Sequence, residues 1–221
     1  GVEALLRWNH EELGFIPPDE FVLLAERTGM MRSLTYWVLD NALAANSRLS
    51  SHRDQTMISV NISAINLHES DFEENVISLL EKHGVASQNL VLEITETSVM
   101  KNPKNAISVL KSLSGKGVKL AIDDFGTGYS SLSYIRQLPV YELKIDRSFV
   151  MEMDKVEGDE VIVKTTLNMC RDLGYKVVAE GIESQNVLST LRTMGCDFAQ
   201  GYHIAKPMPL ESLLTWRVPE V

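Results

Sequence analysis

The sequence predicts an α/β fold in which a parallel β/α barrel is built from seven strand–helix units, and three observations predict it. Short β-rich apolar runs alternate along the chain with longer helical stretches, the pattern of a parallel sheet covered by helices. Six of those runs end in a metal-ligand or charged side chain, at Asn61, Glu93, Asp123 with Asp124, Lys144, Glu180 and Gln200, and a seventh at the start carries Glu3. Polar groups gathered at strand C-terminal ends favour a closed barrel over an open sheet, because chemistry in barrels sits at that end. A typical barrel has eight strands and about 250 residues. At 221 residues the chain is slightly short, as if one strand preceded Gly1. It opens without Met, already inside a strand-like run, and therefore reads as a fragment of something longer.

The strands are expected at 2–8 (VEALLRW), 56–62 (TMISVNI), 89–95 (NLVLEIT), 118–123 (VKLAID), 141–145 (YELKI), 175–180 (YKVVAE) and 198–204 (FAQGYHI). Each is a short apolar run rich in β-branched residues, suited to burial on both faces. Helices are expected at 18–28, 30–49, 71–84, 103–115, 129–137, 157–173 and 184–195. Pro17-Pro18 suits the start of the first, where a missing N–H costs nothing, and Gly84 suits the end of the third. One domain spanning 1–221 is expected, with no internal repeat and no low-complexity linker.

Composition narrows the function. Hydrophobic residues make up 44% and charged ones 23%, the mix of a globular enzyme. Thirty acidic against 21 basic side chains give a net charge of −9, which argues against a nucleic-acid polymer as partner. A small phosphate ligand remains compatible, since a bound divalent metal can supply the positive charge. Cys170 and Cys196 lack metal spacing and read as buried thiols in a reducing compartment. No apolar run approaches a membrane span, and no signal peptide is visible. The expected location is the cytoplasm, with any membrane anchor of the full-length protein lying outside these residues.

Glu3, Asn61, Glu93, Asp123 and Asp124 are hard oxygen ligands, suited to Mg²⁺ or Mn²⁺ rather than zinc. A single acid at a strand end is more often a helix cap or a surface charge. Five oxygen ligands on four strands point to a cation, because like charges held together raise one another's pKa. Adjacent Asp123 and Asp124 can each serve one of two metals about 4 Å apart, or can cap the following helix. Lys144 reads as an ion pair, a Schiff-base lysine or a group that orients attacking water, and the surrounding acids favour the first and last. Glu180 is the better placed general base, whereas Glu183 starts the next helix and reads equally well as a helix N-terminal charge. In DDFGTGYSSL (123–132), Gly126 and Gly128 permit a mobile loop, and its hydroxyls suit a helix cap. Arg7, on the strand of Glu3, suits a phosphate or an acid. His10, His52, His68, His83 and His203 show no ligand spacing and read as structural or surface groups.

Together the segments EALLRW (3–8), VNIS (60–63), LEITET (92–97), DDFGTGYSSL (123–132), LKIDRSFV (143–150), AEGIE (179–183) and AQGY (199–202) resemble the EAL domain, the bacterial cyclic-di-GMP phosphodiesterase family. The resemblance covers essentially the whole chain, in order. It implies a modified TIM (β/α)8 barrel whose first, antiparallel strand precedes the EAL strand and is lacking in this fragment. It implies metal ligands at Glu3, Asn61, Glu93, Asp123 and Asp124, and a water-holding Lys144. Glu180 becomes the general base, with Asp146 and Gln200 supporting the site. Glu96 would pin the loop carrying Phe125 to Ser131, and Arg7, with Gln200 and Glu183, would face the substrate. The implied reaction is hydrolysis of cyclic di-GMP to linear pGpG with two Mg²⁺ or Mn²⁺ ions, Ca²⁺ being inhibitory. The implied setting is the output module of a larger signalling protein with upstream regulatory domains, with a homodimer through helices near the 123–132 loop. Two departures are visible: Glu11 stands where Pro is common, and Tyr141 replaces a frequent Asp. The competing readings are a receptor that binds cyclic di-GMP without cleaving it, and a lysine-dependent aldolase or enolase-type barrel resting on Lys144 alone.

Overall fold

The computed structural model describes residues 1–52, 56–96, 103–127 and 135–217. The chain divides into two compact units, Gly1–Glu93 with Lys104–Lys119, and Ile94–Pro103 with Leu120–Val221. Among the described residues, seven strands pair in parallel as βα alternation requires.

In the first unit, β1 (Val2–Ala4) is followed by a hairpin of β2 (Trp8–His10) and β3 (Gly14–Ile16), then by α1 (Pro18–Thr28) and α2 (Met31–Ser50). Strand β4 (Ile58–Asn61), α3 (Phe72–His83), strand β5 (Leu90–Thr95, as far as Glu93) and α4 (Pro103–Gly115, from Lys104 onward) come next. Strand β4 pairs with β1 on one side and β5 on the other, with Glu3 opposite Ser59 and Asn61 opposite Glu93. Pro17 caps α1 and Pro18 opens it, as the Pro pair predicts, and Gly29 ends it in the left-handed conformation. Gly84 ends α3 in the same way. The strand expected over 2–8 is shorter than that: it stops at Ala4, and Trp8 belongs to the antiparallel hairpin, paired with Ile16. An apolar run such as EALLRW does not reveal where pairing partners change. His10 turns the hairpin, its Nδ1 accepting the N–H groups of Glu12 and Leu13, and the Trp8 ring meets Phe21 edge-on at 5.9 Å.

The second unit holds β6 (Lys119–Phe125, from Leu120 onward), β7 (Glu142–Ile145), the single-turn α5 (Arg147–Val150), α6 (Glu157–Leu173), β8 (Lys176–Ala179), α7 (Gln185–Met194), β9 (Phe198–Ala199) and α8 (Leu210–Thr215). Strands β6 to β9 pair in sequence order. Leu143, Ile145, Val163, Leu167, Val177 and Leu191 share its buried core, so α6 and α7 cover the faces of β7 and β8. Helix α6 matches its macrodipole at both ends, with Glu157, Asp159 and Glu160 in the first turn and Arg171 in the last. The strand expected over 198–204 is only two residues long, because Gln200 to Ile204 turn back through Ile182 N–H to Gln200 O and His203 N–H to Ile182 O. Helices α5 and α8 are too short to show a period in sequence. The helix expected over 129–137 lies mostly outside the described residues.

Candidate metal and hydrolytic site

Strand regularity sets the polar groups of the first unit. Asn61 and Glu93 are the last or near-last residues of adjacent parallel strands and stand side by side in register. Asn61 Nδ2 donates to Glu3 Oε1 at 2.7 Å, which ties the end of β4 to the middle of β1. Glu93 is buried, at 2% exposure. The loop that follows Asn61 is fixed by buried Asn66, whose Oδ1 accepts from Thr35 Oγ1 at 3.0 Å and Ser63 N at 3.1 Å. Arg7 follows β1 on the surface, its Nη1 donating to the neighbouring Leu6 carbonyl.

In the second unit an irregular strand sets the geometry. Successive side chains of a strand point to opposite faces, so adjacent Asp123 and Asp124 would diverge on a regular β6. The register to β7 instead shifts between Ile122, opposite Leu143, and Phe125, opposite Ile145, so both aspartates face Lys144 across one bulge. Asp124 takes φ 54°, and no other described non-glycine residue has a positive φ. Aspartate tolerates the left-handed region better than most residues. Asp123 Oδ1 accepts the Asp124 N–H at 3.0 Å, and the Asp124 carbonyl accepts from Thr127 Oγ1 at 2.8 Å, which closes the turn.

Lys144, at 2% exposure, puts its Nζ 2.7 Å from Glu180 Oε1 and 3.3 Å from Asp123 Oδ1. Asp123, Asp124 and Glu180 each offer a carboxylate oxygen such that all three lie within 4.8 Å of one another. Burial first, then the neighbouring charges of Asp123 and Asp146, push the Asp124 carboxyl above its ordinary range. Three close carboxylates with one buried ammonium leave negative charge over, and the donor set is all oxygen. The residues therefore fit a hard divalent cation.

The remaining expectations fall around this cluster. Glu96 is buried and accepts the N–H of Gly126 at 3.0 Å, the residue after Phe125 in the segment it is expected to pin. The glycine read as loop freedom is thus anchored at Gly126, while 128–134 lie outside the described residues. Asp146 spends its Oδ1 on capping α5 through Ser148 N and Oγ. Glu183 is exposed one residue before Ser184, which is the actual cap of α7. Gln200 follows β9, its N–H donating to Ala179 O at 2.9 Å. Sequence reading passed over Phe149, Gly181 and Gly201. The glycines directly after Glu180 and Gln200 were the available signal.

The model of the EAL domain family matches residues 1–207. The bifunctional diguanylate cyclase/cyclic di-GMP phosphodiesterase MucR of Pseudomonas aeruginosa is 42% identical over 217 residues, covering 97% of this chain and 31% of that protein. The cyclic di-GMP phosphodiesterase NbdA of the same organism is 42% identical over 214 residues, 96% of this chain and 27% of its own length. The chain thus spans about a third or less of these relatives. The solved structure of the MucR phosphodiesterase in complex with c-di-GMP superposes with a TM-score of 0.91 at 39% identity, over 96% of this chain and 86% of that one. The fold class read from the sequence, a modified TIM barrel of seven described parallel strands, stands on that likeness.

Proposed function

The chain belongs to the EAL domain family, and from that premise we propose that it hydrolyses one phosphodiester bond of cyclic di-GMP to give linear pGpG. The observation that carries the proposal is buried Lys144 held between Asp123 and Glu180 on adjoining strand ends, with Asp124 turned by the bulge toward the same group. A receptor needs only ligand contacts. It has no use for a buried ammonium joined to two carboxylates, or for an aspartate held at positive φ.

In the proposed reaction a water oxygen attacks phosphorus, the bond from phosphorus to the ribose O3′ breaks, and O3′ takes a proton from solvent water to leave as a hydroxyl. Glu180 takes the proton of the attacking water, a role worth on the order of 10²–10⁴ in rate. Lys144 holds that water by an N–H donor and keeps the Glu180 carboxylate aimed at it. Bound divalent cations, two Mg²⁺ or Mn²⁺ ions in this reading, supply charge stabilisation of the phosphoryl oxygens and an acidified water. Asp123 and Asp124 are the side chains we assign to them, and the family resemblance assigns Glu3, Asn61 and Glu93 as well. Arg7, Gln200 and Glu183 are assigned to the substrate. Ca²⁺, larger and tolerant of irregular geometry, is expected to bind without supporting turnover. Because the named relatives are much longer, the further proposal is that this segment is the output module of a multidomain signalling protein. A homodimer near the 123–132 loop remains part of the same reading.

The test is incubation with cyclic di-GMP in Mg²⁺ or Mn²⁺, with products resolved by chromatography. Metal-dependent pGpG is expected, lost in Glu180→Gln with cyclic di-GMP binding retained. Tight binding without product in the wild-type protein would make the chain a receptor, and unchanged turnover in Glu180→Gln would remove the general-base assignment.

A further inference from the structure

Two contacts of the short helix α5, neither used by the chemistry above, brace the two ends of the carboxylate cluster. On one side lies Gly126, the residue after β6, with φ 100°. A β-carbon placed there would come within 2.9 Å of Phe149 Cε2, so the ring edge lies directly against the backbone. On the other side lies Gly181, next to Glu180, with φ 71°. A β-carbon there would stand 2.4 Å from Arg147 Cβ and 3.1 Å from its Cα. The turn is closed from behind as well, since a β-carbon at Gly201 would fall 2.2 Å from the Ile182 backbone. Phe149 packs against the buried core of the unit, and Val150 is fully buried within it, so the helix is not free to drift. Asp146 and Ser148 fix its first turn.

We propose that Phe149 is a positioning residue for the hydrolytic cluster: α5 is a strut that presses Phe149 against Gly126 and Arg147 against Gly181, setting the spacing between the Asp123–Asp124 bulge and Glu180. The proposal rests on the phosphodiesterase reading of that cluster and deepens it. Its physical basis is the tolerance of the site. The cluster's oxygens lie within 4.8 Å of one another, and a displacement of about 1 Å can cost on the order of 10²-fold in rate. Besides the Lys144 ion pairs, the two strand ends need a steric reference to fix their spacing. The strut gives them one through van der Waals contact, which is stiff to compression.

The experiment compares Phe149→Ala, Phe149→Met and Val163→Ala, the last a truncation in the same core at a residue that is not among the nearest neighbours of Gly126. Each is read by kcat, KM, thermal midpoint and Mn²⁺ affinity from EPR titration. Phe149→Ala is expected to lower kcat by about tenfold or more, with KM near the wild-type value. Its Mn²⁺ affinity should also fall, and Phe149→Met, which refills the space, should recover both. Gly181→Ala, whose β-carbon would push against Arg147, should lower kcat as well, and the Phe149→Ala/Gly181→Ala pair should lose less than the two single effects combined, because both displace one strut. Equal loss of kcat in Val163→Ala at matched stability would overturn the proposal, as would unchanged kcat in Phe149→Ala. If the wild-type protein gives no pGpG, the phosphodiesterase reading fails by itself. Mn²⁺ affinity then decides the strut: weakening in Phe149→Ala but not in Val163→Ala supports it, and equal affinities sink it.

Discussion

The strand ends of the two units present oxygen-bearing side chains by different backbone means. In the first unit Glu3, Asn61 and Glu93 sit on regular parallel strands, and a neutral amide donating to a carboxylate joins two of them. In the second, Asp123 and Asp124 share one bulge, Asp124 adopts positive φ, and a buried ammonium joins Asp123 to Glu180. Regular register spreads these oxygen-bearing side chains one per strand, whereas an inserted residue concentrates two on one strand end. The concentrated arrangement crowds carboxylates around a buried ammonium, so the two regions should respond differently to mutation and to pH.

Removing the buried charge should break the second arrangement outright. Lys144→Met fills the space but leaves Asp123 and Glu180 without their ammonium. Breaking a buried pair by deleting one partner costs about 3–5 kcal/mol. Chemical unfolding of metal-free protein should show a loss of that order, with turnover abolished. A variant that kept wild-type stability would mean that Lys144 contributes little to holding the cluster together.

The pH dependence separates the units by sign. The raised Asp124 carboxyl binds its proton more tightly folded than unfolded. Stability from this group therefore falls as pH rises from its ordinary value, about 4, through the higher folded one. Asp71 in the first unit is the reverse case. Its bond to Arg32 holds the carboxyl below the usual range, so its contribution is present above the ordinary value and is lost as pH falls. In chelator, Asp124→Asn should unfold later than wild type at neutral pH and approach it in acid. Asp71→Asn should differ from wild type at neutral pH in the opposite direction. Parallel pH curves for wild type and Asp124→Asn would show that the crowding of the acids is not felt.

These contrasts also mark what could be read in the sequence. The helices at 18–28, 103–115 and 157–173 were legible to the residue because apolar periodicity agrees with a proline start in the first two and with a following glycine in the first and third. The strand ends were legible because polar side chains interrupt apolar runs at Asn61, Glu93, Lys144 and Glu180. The bulge was not, since Asp-Asp reads the same whether the strand is regular or has an extra residue, and only pairing with β7 distinguishes them. The role of Asp146 as a cap was obscured because a strand-end acid serves a ligand set or a helix start equally well. Phe149 was hidden for a different reason. Its partner is a glycine backbone 23 residues away in sequence, and such a contact leaves no local pattern.

The smallest effect should come from the regular region. Asn61→Ala removes the donor to Glu3 Oε1 but leaves β4 paired with β1 and β5 through the backbone. A hydrogen bond to a charged acceptor contributes about 1.5–3 kcal/mol when buried. The Asn61 side chain is exposed, so solvent replaces much of it and about 1 kcal/mol or less is expected in the metal-free protein. Turnover should nonetheless fall if the amide oxygen serves the cation as proposed. Loss of activity with nearly unchanged stability is the reverse of the Lys144→Met outcome, where both collapse. If Asn61→Ala lost stability on the scale of Lys144→Met, the regular strand ends would be as strained as the bulged one. The contrast between the two backbones would then explain nothing.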